Sequence, residues 1–156
     1  MSEYFEYNEK RCIGCQSCQV ACKQFHDIKA GTISYRKVSG TPKGVYPDVT
    51  RTFLSISCEH CANPLCVNAC PVSPVKALSK RAEDGIVVVD QSKCIGCGAC
   101  GRACPFGAPN YITVNGKRVM QKCDFCLSLD LEDGAQTRCA AACTTQALRN
   151  GSLRNG

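Results

Sequence analysis

Hydrophobic positions along this chain occur in short runs, which predict short strands and turns rather than long helices. Residues 52–57 and 85–90 are rich in β-branched and apolar side chains, so each predicts a strand. The dipeptide Asn115-Gly116 lies between two further runs, at 111–114 and 117–120, and predicts a tight β-hairpin.

Residues 25–51 differ from the rest of the chain because they contain no cysteine and only weak periodicity. Several glycines and prolines interrupt this stretch, so we expect a loop-rich insertion on the surface. No run approaches 18 consecutive apolar residues, and no transmembrane helix is expected.

The chain has 156 residues, of which 16 are cysteine, and this length suits one domain or two small lobes. Cysteine at this density indicates either a disulfide-stabilised secreted protein or a metal-binding protein in a reducing compartment. The first ten residues contain no basic segment followed by an apolar run and no twin-arginine pair. We therefore expect reduced cysteines and a cytoplasmic location.

The cysteines form four quartets, and each quartet opens with C-x2-C and closes with C-x3-C. The quartets are, in chain order, Cys12, Cys15, Cys18 and Cys22; Cys58, Cys61, Cys66 and Cys70; Cys94, Cys97, Cys100 and Cys104; and Cys123, Cys126, Cys139 and Cys143. A repeated pattern of this kind indicates one duplicated structural unit. The spacing within C-x3-C, as at residues 101–103, suits one helical turn.

The first and third quartets have the spacing C-x2-C-x2-C-x3-C of bacterial ferredoxins. A [4Fe–4S] cluster needs four thiolates, and in those ferredoxins the fourth cysteine of the run ligates the other cluster of a pair. The sixteen cysteines therefore predict four [4Fe–4S] clusters with every cysteine a ligand.

Zinc is the alternative metal, because C-x2-C pairs separated by a loop also build zinc ribbons. The fourth quartet, with 12 residues between its pairs, would fit such a ribbon in isolation. Zinc does not explain three cysteines at successive x2 spacings, nor Pro71 and Pro105 directly after the last cysteine of their quartets. Iron–sulfur clusters are the better interpretation.

The formal net charge of +6 would ordinarily suggest nucleic acid as a partner. Each cluster with its four thiolates contributes about −2, so four of them bring the oxidised protein to about −2. Basic residues also form no run of five or more, and the pairs Arg36-Lys37, Lys80-Arg81 and Lys117-Arg118 are expected to be mainly solvated surface charges. We expect no nucleic-acid partner.

Three segments resemble the iron–sulfur subunits of molybdenum and tungsten oxidoreductases that carry four clusters. They are Cys58-Glu-His-Cys61 with the following Asn-Pro-Leu-Cys66, Cys104-Pro-Phe-Gly-Ala-Pro109, and Lys122-Cys-Asp-Phe-Cys126. This family includes the electron-transfer subunits of dimethyl sulfoxide reductase, formate dehydrogenase and formate hydrogenlyase, and a compact form in tungsten aldehyde oxidoreductase.

The resemblance implies an α+β fold of tandem ferredoxin-like lobes in one compact unit spanning residues 1–156. Lobe A would comprise about 1–30 plus 110–156, lobe B about 52–109, and residues 25–51 would form the insertion. It also implies that the two quartets of one lobe exchange ligands. The implied ligand sets are Cys12, Cys15, Cys18 and Cys143 for cluster 1; Cys22, Cys123, Cys126 and Cys139 for cluster 2; Cys58, Cys61, Cys66 and Cys104 for cluster 3; and Cys70, Cys94, Cys97 and Cys100 for cluster 4.

The function implied by the resemblance is electron transfer in anaerobic metabolism, without catalysis on this chain. Electrons would pass between a large catalytic subunit with a molybdenum or tungsten cofactor and a further redox partner, which could be a flavin subunit, a ferredoxin or copies of the chain itself. We expect no membrane insertion by this chain. Two other readings stay open: a free polyferredoxin or filament-forming carrier, and a structural zinc protein.

Smaller signals concern residues beside the ligands. A basic residue precedes the first cysteine in three quartets: Arg11, Lys93 and Lys122. Two interpretations stay open for these residues: a cation beside a cluster that raises its reduction potential, or an ordinary solvated charge. We expect His60 to be a surface residue of its ligand loop. Apolar neighbours of the ligands are expected to pack on the clusters and exclude water; they are Ile13, Ile95, Phe106, Phe125 and Leu127. No catalytic motif is present, and Glu132 and Asp133 are expected to be loop acids.

Overall fold

The computed structural model describes residues 2–129 and 135–153, which form a small, loop-rich α+β fold. Its strands pair two by two into antiparallel hairpins or ribbons. The pairs are β1 (Ser2–Tyr7) with β8 (Leu148–Leu153), β2 (Lys37–Val45) with β3 (Asp48–Ile56), β4 (Leu78–Lys80) with β5 (Val87–Val89), and β6 (Asn110–Val114) with β7 (Lys117–Gln121).

Each of the four short α-helices occupies the same position relative to a cysteine quartet. They are α1 (Ser17–Phe25), α2 (Leu65–Asn68), α3 (Ala99–Ala103) and α4 (Arg138–Ala141). Each helix contains the third cysteine of its quartet, and the fourth cysteine lies in the same helix or within two residues of its end. Because a helical turn is 3.6 residues, C-x3-C places both thiols near one face of the turn. Single 3-10 turns also occur at Glu9–Arg11 and Leu127–Leu129.

The strands predicted from hydrophobic runs are confirmed by β3, β5 and the β6–β7 hairpin. In that hairpin Asn115 has φ 49° and Gly116 has φ 76°. Both values are positive, as a two-residue hairpin turn that matches the strand twist requires.

Residues 25–51 lie mostly at the surface, as expected, but they differ from the expected loop-rich insertion in two respects. Its second half forms the nine-residue strand β2, paired with β3 over its whole length. It also contributes buried side chains, since Tyr35 is 8% exposed and Arg36 only 1%. Toward the turn both faces of this hairpin are exposed, so the sequence there lacks the alternation that would mark a half-buried strand.

Two buried cores lie among the described residues, and both contain cysteines. The first joins α1, α4, β8 and the loop before β2, with Tyr35, Ala140 and Leu148 as members besides cysteines. The second includes β4, β5 and β7, where Val87 is 1% exposed and Met120 is fully buried. Cysteines occupy many of the positions that large apolar side chains fill in ordinary domains of this size.

Candidate metal centres

All sixteen cysteines lie in the described part of the chain, and each carries a free thiol. Their exposure is uneven. Cys15 and Cys97 are exposed, whereas eight are buried: Cys22, Cys58, Cys70, Cys94, Cys100, Cys123, Cys126 and Cys139. Free thiols in this number, mostly shielded from solvent, are available to bind soft metal ions.

One cavity lies at the second core and is lined by four cysteines from two different quartets. These are Cys70, Cys94, Cys97 and Cys100. Gly96 lines the same cavity with φ +67°, and a Cβ built on it would lie 2.4 Å from the carbonyl oxygen of Arg118. The loop can therefore curve around this cavity only because residue 96 is glycine.

A second cavity is lined by three cysteines of the first quartet and one from the fourth. These are Cys12, Cys15, Cys18 and Cys143. Tyr7 and Ser55 also face this cavity. In both cavities the fourth cysteine comes from a distant part of the chain.

A third group of thiols lies in the first core. Burial raises the pKa of Cys22 to about 12 together with the neighbouring Cys139 and Cys126, which contribute because like charges repel. The pKa of Cys126 is about 11, again raised first by burial and partly by Cys139. Burial also raises the pKa of Cys123, with smaller contributions from Cys139 and Cys22. These four thiols therefore lie close enough to interact.

A fourth group joins the second quartet to the last cysteine of the third. Burial raises the pKa of Cys66, and the neighbouring Cys58 and Cys104 add to the increase. Burial likewise raises the pKa of Cys58, with Cys104 and Cys61 as further causes. Thiols of this kind stay protonated at neutral pH unless a metal ion replaces the proton, since a coordinated thiol is deprotonated.

Hydrogen-bond donors surround the sulfur atoms, as they do at metal-bound thiolates. Backbone N–H groups donate from Met120 to Cys94 Sγ at 3.3 Å, from Phe125 to Cys123 Sγ at 3.4 Å and from Leu148 to Cys143 Sγ at 3.4 Å. Hydroxyl groups lie beside others, in the pairs Ser17–Cys15 at 3.4 Å, Thr137–Cys139 at 3.4 Å, Ser55–Cys18 at 3.6 Å and Tyr111–Cys100 at 3.3 Å.

Tyr111 is held in place by a second contact, because its hydroxyl accepts a bond from the Gly101 N–H at 3.1 Å. Burial and the neighbouring Cys100 raise the pKa of Tyr111 to about 12. The hydroxyl is therefore protonated at neutral pH, and it donates whenever Cys100 is a thiolate.

Two basic side chains are buried beside the cysteines. Lys122 is 5% exposed, and its ammonium group donates to the carbonyl oxygens of Val87 and, at 2.9 Å, of Cys123. Arg36 is more deeply buried and contacts Ser55 and Ser57. Its Nε has no hydrogen-bond partner among the described residues, although the guanidinium lies against Cys139. A buried N–H of this kind fits a sulfur-rich anion as its acceptor.

The three cations that precede a quartet therefore have different roles. Arg11 and Lys93 are both exposed, and Lys93 forms an ion pair with Asp90 at 2.9 Å. Both residues therefore agree with the interpretation as solvated surface charges. Lys122 is instead a buried charge next to a ligand. The expectation that Arg36 is a solvated surface charge is wrong, since its side chain is 1% exposed; it lies in a segment without cysteines, so no motif marked it as a candidate.

The expectation that His60 is a surface residue is wrong. Its side chain is 4% exposed, and Nδ1 accepts a bond from the Val87 N–H at 3.0 Å. Burial and the charges of Lys122 and Lys80 lower the pKa of His60 to about 2, so the imidazole is neutral. Its function is to hold the second-quartet loop against β5.

Of the apolar neighbours expected to exclude water, Phe125 is buried and Leu127 is half-buried. Ile13 and Ile95 are each 60% exposed, but each lines one of the two cysteine cavities, as packing on a cluster requires. Phe106 is 42% exposed and lines neither of these cavities. Glu132 and Asp133 lie outside the described residues.

Comparison with known proteins settles which metal centre the cysteines build. A family described as the 4Fe-4S dicluster domain matches residues 49–153, about two thirds of the chain. The chain belongs to this iron–sulfur family.

Related proteins extend over nearly the whole of the iron–sulfur chain. It is 40% identical over 148 residues to the thiosulfate reductase electron transfer subunit PhsB of Salmonella typhi, covering 94% of this chain and 74% of the relative. It is 38% identical over 157 residues to the B subunit of the anaerobic dimethyl sulfoxide reductase of Escherichia coli, covering 96% and 73%. The predicted resemblance to iron–sulfur subunits of molybdenum oxidoreductases and the role as a non-catalytic electron-transfer subunit are thereby confirmed.

None of the helices within residues 2–129 and 135–153 is long and apolar enough to span a membrane.

Proposed function

We propose that this chain holds four [4Fe–4S] clusters and relays electrons between a molybdenum- or tungsten-cofactor catalytic subunit and a further redox partner. The observation that carries the proposal is the pair of cavities lined by four cysteines each, three from one quartet and one from another. When bound, each cluster accepts and returns one electron at a time.

The ligand sets implied by the family resemblance remain our proposal for the four clusters. The linings of the two cavities support the sets assigned to clusters 1 and 4. The mutual influence of Cys22, Cys126 and Cys139 on their pKa values supports the set of cluster 2. The influence of Cys58 and Cys104 on Cys66 supports the set of cluster 3.

The division into two ferredoxin-like lobes belongs to the same proposal. The second core supports it, since its members all lie between Cys66 and Met120, whereas the first core joins lobe A residues to Cys58 and Ala108 of lobe B. The β6–β7 hairpin packs Val119 and Met120 into the second core. We therefore assign this hairpin to lobe B, although the sequence-based boundary at residue 110 put it in lobe A. The β2–β3 hairpin stands apart from both lobes at its turn, where Tyr46 is 88% exposed.

Exposure of the ligands suggests how electrons reach the chain. Cys15 and Cys97 are exposed and belong to clusters 1 and 4, whereas all four ligands of cluster 2 are buried. Electrons would therefore be exchanged with partners at the exposed edges of clusters 1 and 4. The chain's own residues would hold the clusters, donate hydrogen bonds to sulfur and limit access of water to the inner clusters.

The partner is proposed from relatives whose names describe an electron transfer subunit of thiosulfate reductase and a subunit of dimethyl sulfoxide reductase. Such names imply a separate catalytic chain. Cysteines that bind metal rather than form disulfides are typical of a reducing compartment, and we propose the cytoplasm. A free polyferredoxin is the second candidate function. The exposed edges of the proposed clusters 1 and 4 would allow such a carrier to exchange electrons with separate partners.

Metal analysis of anoxically purified protein tests the proposal. We expect about sixteen iron and sixteen acid-labile sulfide per chain, with EPR signals of interacting reduced clusters after dithionite treatment. Two to four zinc without sulfide, on the order expected for C-x2-C sites, would contradict it. Co-purification with a large catalytic chain separates the oxidoreductase subunit from the free carrier.

A further inference from the structure

Arg36 is the most deeply buried charged side chain of the described residues, at 1% exposure. No carboxylate of the described residues forms an ion pair with it. Burial of an unpaired charge is costly, so a compensating negative group must lie nearby in the functional protein.

The guanidinium is fixed on several sides. Its Nη1 donates to Ser55 Oγ at 3.1 Å, and its Nη2 donates to Ser57 Oγ at 2.8 Å. The ring of Phe5 lies 4.4 Å from its central carbon in a cation–π contact. These contacts prevent the side chain from turning toward solvent, so its charge stays inside the protein.

The groups near Arg36 that can carry negative charge are the half-buried Glu59 carboxyl, whose pKa the guanidinium lowers against the effect of burial, and cysteine sulfurs that become negative when they bind metal. Burial lowers the pKa of Arg36, but Cys139, Cys123 and Cys18 together raise it, so these sulfurs lie near enough to the guanidinium to interact with it. Ser55 Oγ, which Arg36 contacts, also lies 3.6 Å from Cys18 Sγ. Cys18 belongs to the proposed cluster 1, and Cys123 and Cys139 belong to the proposed cluster 2.

We infer that Arg36 is a potential-setting residue that serves clusters 1 and 2 together. Each electron accepted by either cluster adds negative charge next to a fixed cation, which stabilises the reduced state and raises the reduction potential. Because one guanidinium faces both sets, it also reduces the repulsion between neighbouring clusters that are both reduced. The inference rests on the proposed function for the presence and ligands of these clusters.

Three variants test the inference. Arg36→Gln removes the positive charge. Arg36→Lys keeps the charge but lacks the two guanidinium nitrogens that donate to Ser55 and Ser57. Arg51→Gln is the matched control, because Arg51 lies in the hairpin that begins directly after Arg36, also stacks on a phenylalanine, and is exposed. For each, iron and sulfide are counted first, and midpoint potentials are then measured by EPR-monitored redox titration.

We expect Arg36→Gln to retain its iron while at least one midpoint potential falls. The ratio of reduced to oxidised cluster at a fixed ambient potential should drop about tenfold, which corresponds to about 59 mV for one electron. Arg36→Lys should shift far less, and Arg51→Gln should leave the potentials unchanged. Loaded Arg36→Gln protein with unchanged potentials would overturn the inference, as would an equal shift in Arg51→Gln.

If Arg36→Gln loses its clusters, Arg36→Lys decides the question. A loaded Arg36→Lys protein with nearly wild-type potentials would support the electrostatic role, because only the charge is preserved. Loss of clusters from Arg36→Lys as well would show that the fork is structural and would overturn the inference. Absence of iron and sulfide from the wild-type chain is a separate result, which would refute the proposed function itself.

Discussion

The hydroxyl of Tyr111 is expected to raise the reduction potential of the cluster that Cys100 is proposed to bind. It lies 3.3 Å from Cys100 Sγ, and its pKa of about 12 keeps it protonated as a donor. Tyr111→Phe removes this donor and leaves the ring in place. The cluster should then be harder to reduce, because hydrogen bonds to sulfur stabilise the more negative state.

The size of the effect follows from the contact. A hydrogen bond to a charged group contributes about 1.5–3 kcal/mol, but the sulfur is negative in both oxidation states. If the added electron density is shared equally, each of the four thiolates receives roughly a quarter of it. The hydrogen bond then stabilises the reduced state relative to the oxidised state by about 0.4–0.8 kcal/mol. With 59 mV for each tenfold change, the midpoint potential should fall by about 15–35 mV.

The assay is an EPR-monitored redox titration of Tyr111→Phe, after iron and sulfide counts. The count is needed because the Gly101 N–H, which donates to the same hydroxyl at 3.1 Å, loses its acceptor. Tyr46→Phe is the matched control, since Tyr46 is 88% exposed at the turn of the β2–β3 hairpin. A fully loaded Tyr111→Phe protein with four unchanged midpoints, or with one that rises, would refute the reasoning.

Three further predictions concern charge, backbone and metal. Lys122→Met should lower at least one midpoint potential by tens of millivolts, where about 59 mV corresponds to a tenfold change in the ratio of reduced to oxidised cluster. The exposed Lys117→Met is the control and should leave the potentials unchanged. Equal potentials in the two variants would count against a role for Lys122. Gly96→Ala should lose about a quarter of the iron, because φ +67° and a distance of 2.4 Å to the Arg118 carbonyl oxygen both exclude a Cβ. Gly107→Ala is the control, since Gly107 has φ +60° but open space around it, and this variant should retain its iron. Colorimetric iron analysis compares the two. Removing iron with acid and chelator should abolish the circular dichroism of the folded chain, and persistence of native dichroism would contradict metal-dependent folding.

Features encoded over a few residues could be predicted from the sequence. Asn115-Gly116 specifies its hairpin by backbone preference alone, and C-x3-C specifies a helical turn between the last two cysteines of each quartet. The metal followed from cysteine spacing, because few other centres require that arrangement. The family followed from the resemblance of three motif segments to known iron–sulfur subunits.

Features that depend on distant contacts could not be predicted. Arg36 is buried because Ser55, Ser57 and Phe5 surround it, and none of these is its neighbour in sequence. His60 is buried because β5 offers it the Val87 N–H. Strand β2 was missed for a different reason, since an exposed hairpin stabilised by its own pairing needs no hydrophobic periodicity.

The antiparallel pairing of β1 with β8 has a consequence for biosynthesis. The first core joins Cys22 to Leu148, so it cannot close until the ribosome has made almost all of the described chain. At about 5–20 residues per second, the earliest thiols wait on the order of 6–25 s for their partners. During that interval they are open to oxygen and to competing metal ions. Insertion of the proposed clusters 1 and 2 therefore waits until the residues up to Cys143 have been made, and the yield of intact protein depends on how well the cell protects the thiols of an incomplete site.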